Sequence, residues 1–104
     1  GASAITFKSS KLHETGTTAT ITGFTQASGS RLLVTICEDR SDVNADQVAP
    51  TSWTERYEEH ITYFDFSVAD IEPTLYVDSA SIQWTGLNSG GSGLENNTAV
   101  WELT

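Results

Sequence analysis

The run Arg31-Leu32-Leu33-Val34-Thr35-Ile36-Cys37-Glu38 constrains the fold more than any other part of this chain. In an extended backbone Leu32, Val34 and Ile36 share one face, and Leu33 and Cys37 share the other. A β-rich segment that is apolar on both sides belongs inside a sheet whose two faces are both covered. A polar loop, Asp39 to Pro50, follows it. That loop ends in the turn Pro50-Thr51-Ser52, which presents Trp53.

Shorter alternating runs surround this central strand. Ile5 and Phe7 share a face in Ala4 to Lys8, and a polar connection follows to Gly16. Thr17 to Thr25 points Ala19 and Ile21 inward and Thr18, Thr20 and Thr22 outward. Ser52 to Tyr57 reads either as a strand or as the lead-in to one helical turn, Glu55 to His60. His60 to Val68 reads as a strand with Phe64, Phe66 and Val68 inward, and Ala69 to Pro73 as a turn. The apolar parity switches between Leu75, Val77 and Ala80, Ile82, Trp84, which predicts a bulge or a bend near Asp78-Ser79. After a Gly-rich loop, Thr98 to Thr104 is expected to turn Ala99, Trp101 and Leu103 inward. The result is about seven to eight strands separated by turn signals, with no helix of ordinary length. The expected fold is all-β: one antiparallel β-sandwich over residues 1–104, jelly-roll or immunoglobulin-like in layout.

Composition narrows the partners. The chain carries 5 Lys and Arg against 14 Asp and Glu, a net charge of −9. Its basic residues are Lys8, Lys11, Arg31, Arg40 and Arg56, and none follows Arg56. Such a chain repels phosphate backbones, so nucleic acid is not an expected partner. It lacks the basic patch that an anionic membrane attracts, and no apolar run reaches spanning length. Cys37 is the single cysteine, which rules out an internal disulfide.

The order of these segments resembles a known group. It runs Ile5-Thr6-Phe7, a Thr-rich strand, Gly29-Ser30-Arg31-Leu32-Leu33-Val34, and Pro50-Thr51-Ser52-Trp53-Thr54. Tyr63-Phe64-Asp65-Phe66, Glu72-Pro73-Thr74 and Ile82-Gln83-Trp84-Thr85 follow before a Gly-rich loop and a final apolar strand. This looks like the small β-sandwich domains of bacteriophage tail, fibre and head-surface proteins. The resemblance implies a structural or surface module in a virion or at a cell surface, often repeated in an assembly, and it brings no catalytic residues. The long acidic loop from Glu38 to Val48 departs from it.

Three constellations are candidate sites. Asp39, Asp42, Asn44 and Asp46 crowd one loop, and Asp42 to Asp46 has the D-x-N-x-D spacing that points alternate side chains at calcium. The EF-hand pattern then fails, with Gln47 where Gly is needed and Trp53 where Glu is needed. A solvated turn with Asx caps is the favoured reading, so no cofactor is expected, with calcium as the alternative. Trp53, Tyr57 and Tyr63 could form an aromatic platform for sugar rings, with packing the favoured reading for each. Glu55, Glu58, Glu59 and His60 cluster locally, but glycoside hydrolysis needs a cleft that a domain this small rarely supplies.

The expected function is non-catalytic: a structural module that contacts protein partners or copies of itself. The alternatives are a carbohydrate-binding module and a calcium-stabilised secreted adhesin domain.

Overall fold

A computed structural model describes residues 4–39, 47–61, 64–71, 80–87 and 94–104. Among these residues there are seven strands and no helix: β1 (Ile5–Glu14), β2 (Ala19–Phe24), β3 (Arg31–Asp39), β4 (Thr54–Ile61), β5 (Phe64–Ile71), β6 (Ala80–Trp84) and β7 (Asn96–Leu103). Every pairing is antiparallel. Five strands form one sheet in the order β1-β7-β3-β5-β4, and β2 and β6 form a second. The all-β, antiparallel architecture expected from the sequence is present, with β3 at the centre of the large sheet.

The two sheets stack through a compact core. Leu32, Val34 and Ile36 of β3, Ala69 and Ile71 of β5 and Val100 of β7 supply one side. Ala19, Ile21 and Phe24 of β2 and Ile82 and Trp84 of β6 supply the other, with Leu87 and Trp53 closing it. Two four-residue turns place core-forming segments. In each, the fourth N–H bonds the first carbonyl: Ser30 to Ala27 at 3.1 Å and Trp53 to Pro50 at 3.0 Å. Their third residues, Gly29 and Ser52, take φ values of 82° and 73°. A positive φ at that position is what a type II turn requires.

Several strand limits differ from the sequence reading. β1 runs on through Ser9 to Glu14, where a connection was expected, and carries bulges between Phe7 and Ser9 and between Lys11 and Glu14. Residues 54–61 are strand rather than a helical turn, with a further bulge between Glu55 and Tyr57. The run from His60 to Val68 belongs to two strands, because β4 ends at Ile61 and β5 begins at Phe64. β5 continues through Ala69 to Ile71, and β7 starts at Asn96. The parity switch at Asp78-Ser79 lies outside the described residues.

The largest correction concerns faces. Phe64, Phe66 and Val68 point away from the core, and so do Ala99, Trp101 and Leu103. Their buried neighbours are Asp65, Ser67 and Ala69 on β5, and Asn96, Thr98, Val100 and Glu102 on β7. Register fixes this. Leu33 lies opposite Trp101, and Thr35 opposite both Ala99 and Val68, so these residues share the side of the sheet that β2 and β6 do not cover, and the second face of β3, expected to be covered, has no described strand over it.

Candidate interaction face

The side of the five-stranded sheet that no other described strand covers carries a diagonal apolar band. It begins on edge strand β1, where Ile5 pairs with Leu103 and Phe7 with Trp101. The Phe7 and Trp101 rings meet edge to face, with centroids 5.5 Å apart. Leu33 and Ala99 extend the band to the centre, and Val68, Phe66 and Cys37 carry it across β3 and β5. Tyr57, tilted against Phe66 at 6.2 Å, and Ile61, opposite Phe64, complete it on β4. Its ends are open: Ile5 is 70% exposed, Phe7 54%, Tyr57 51% and Ile61 53%. The central members are half-buried.

Charged groups occupy the two corners beside this band. At one, Asp70 accepts from Arg31 at 2.7 Å and from Arg56 at 3.0 Å, so two guanidiniums cover one nearly buried carboxylate. At the other, His13 and Glu95 pair at 2.8 Å, and Asn97 accepts from the His13 backbone N–H. Cys37 lies on the band with its thiol pKa raised, first by burial and then by Asp39, so it is a poor nucleophile.

The covered face ends in a row of polar residues that sequence reasoning missed. Glu14, Asn96, Glu38, Asp65 and His60 face one another across successive strands. Asn96, Glu38 and Asp65 are almost completely buried. Gln47 donates to Glu38 at 3.2 Å and accepts the Ser67 hydroxyl. His60 contacts Asp65 through Nδ1 at 2.7 Å and Glu58 through Nε2 at 2.8 Å. Carboxylates only accept, so both contacts require a proton on both ring nitrogens. The Asp65 hydrogen bond accordingly raises the His60 pKa, with Glu58 adding to it and burial opposing it. An imidazole held this way has no free nitrogen to activate a nucleophile. The signals in the sequence were the local cluster of Glu58 and His60 and the alternation of small polar with large aromatic residues in Phe64-Asp65-Phe66-Ser67.

The candidate residues scatter. Trp53, a platform candidate for which packing was the favoured reading, is only 9% exposed and packs in the core. Tyr57 is exposed on the band, its hydroxyl donating to Glu59 at 2.9 Å, and Tyr63 lies outside the described residues. Glu58 and His60 share the covered face, while Glu59 is across the strand from them. Asp39 is exposed at the end of β3, and Asp42, Asn44 and Asp46 lie outside the described residues. Among the described residues, no group of three or more His, Cys, Asp or Glu is placed to hold a metal ion.

No family model, curated protein or solved structure matches this chain.

Proposed function

We propose that this chain is a non-catalytic contact module, joining a larger assembly through the open face of its five-stranded sheet. The observation that carries the reading is the apolar band from Ile5 to Ile61, which crosses all five strands. Monomeric proteins rarely leave so much contiguous apolar surface to water. The resemblance to phage surface domains supplies the setting: a virion or comparable extracellular appendage. The covered face supports a scaffold rather than a reaction site, since its histidine is committed to two carboxylates.

Dye binding and a glycan array test the reading together. The native protein should bind an apolar dye such as bis-ANS, and Phe7→Asp with Trp101→Asp should abolish that binding without loss of fold. A native protein that ignores the dye at a dilution where light scattering shows only monomer would overturn the contact-module reading. Selective capture of one glycan class, lost on Tyr57→Ala, would replace it with the carbohydrate-binding alternative.

A further inference from the structure

We infer that the occupant of the open sheet face is a second copy of this chain, packed face to face about a two-fold axis parallel to the apolar band. This deepens the contact-module reading and rests on it. The first argument is area. A large side chain offers roughly 150–250 Å² when free, so the exposed and half-exposed members of the band amount to about 800 Å². That is about what one partner contributes to a stable interface of standard size.

The second argument is charge placement. A two-fold axis in the plane of the contact maps one side of the band onto the other. It therefore lays the corner holding Arg56 over the partner's corner holding the His13–Glu95 pair, and does so twice. Other axes in the plane either carry the band off itself or bring like corners together. Strands lie about 4.8 Å apart and same-face residues about 6.7 Å apart, so the band lies at a steep slant and the strands of the two copies cross at about 70°. That approaches the orthogonal class of sheet packing. The net charge of −9 opposes association in general, which makes the matched corners decisive for orientation.

The test uses the full chain and two readouts. Light-scattering mass against concentration should show a monomer–dimer equilibrium, and alkylation of the native Cys37 thiol should slow as the dimer fills. Arg56→Glu alone and Glu95→Arg alone should each weaken association about tenfold, because each sets like charges opposite at both symmetry-related contacts. Mixing the two variants should restore it, since the heterodimer has opposite charges at both. If either variant folds poorly, Arg56→Gln and Glu95→Gln carry the same test with a smaller loss. A monomer at every concentration that binds bis-ANS, with a Cys37 alkylation rate independent of concentration, would overturn the second copy and leave the contact module standing. A monomer that also fails to bind bis-ANS would overturn both, because the chain itself then covers the face. A dimer indifferent to both charge reversals would overturn the proposed axis.

Discussion

Phe7 and Trp101 stand directly opposite each other across the β1–β7 ladder, rings 5.5 Å apart at 70°, on the side of the sheet away from the core. Trp84 is the counterpoint, fully buried between the sheets. The two tryptophans separate stability from association. Trp84→Ala should cost about 3–5 kcal/mol, as truncation of a core aromatic does. Trp101→Ala should cost the monomer only about 1–2 kcal/mol, the worth of an aromatic pair and its cross-strand neighbours. Denaturant unfolding at low protein concentration reads both. Equal losses would place Trp101 in a covered core.

Glu102 ties the 27–30 turn to β7. It accepts from the Ala27 N–H at 2.8 Å and the Ser30 hydroxyl at 2.9 Å, and Lys8 lies 3.7 Å away. The Ala27 N–H first, then Ser30 and Lys8, hold its pKa below the ordinary glutamate value, against the opposing effect of burial. Glu102→Ala should cost about 1–2 kcal/mol at neutral pH, because it strands the partly buried Ala27 N–H and leaves the Ser30 hydroxyl only the Ala27 carbonyl as acceptor. A depressed folded pKa contributes stability above the unfolded value that is lost as pH falls through the folded one. The gap between wild type and variant should therefore narrow in acid. A gap independent of pH would mean that the carboxylate's charge plays no part.

His60 has the opposite sign. Its folded pKa is raised, chiefly by the Asp65 hydrogen bond. Its contribution is complete below the unfolded histidine value and is lost as pH rises through the folded one. The melting temperature of the wild type should fall over that interval, and the decline should flatten in His60→Gln. An NMR titration of the His60 ring gives the folded pKa directly. A value at or below that of an unfolded histidine would contradict the two-carboxylate geometry.

Ser52 holds a φ of 73° in the same turn position where Gly29 holds 82°. A side chain in the left-handed region costs about 1 kcal/mol relative to glycine. Ser52→Gly should therefore stabilise the protein by roughly 0.5–1 kcal/mol, offset in part by a more flexible unfolded chain. Thermal melts of the pair decide it, and a lower melting temperature for the glycine variant would show that the serine side chain stabilises the turn.

Sequence pattern located the Thr-rich β2, whose apolar residues share one face, and the central β3, whose β-rich run is apolar on both. It failed on β5 and β7 for a physical reason. On β5 the outward Phe64, Phe66 and Val68 are more apolar than the inward Asp65, Ser67 and Ala69. On β7 the outward Ala99, Trp101 and Leu103 outweigh the inward Asn96, Thr98, Val100 and Glu102. Period-two hydrophobicity picks the greasier face, and here that face is the uncovered one. The polar residues of the covered face are legible only in register, where Glu38, Asp65 and His60 become neighbours.

The bulges in this molecule's large sheet fall on its outermost strands: two on β1 and one on β4. Each interrupts the row of N–H and C=O groups that an incoming strand would need in regular alternation. Open-ended growth by strand addition, the route to fibres, is thereby frustrated at both rims. A chain with an exposed apolar surface can then stay in finite, countable complexes at high local concentration.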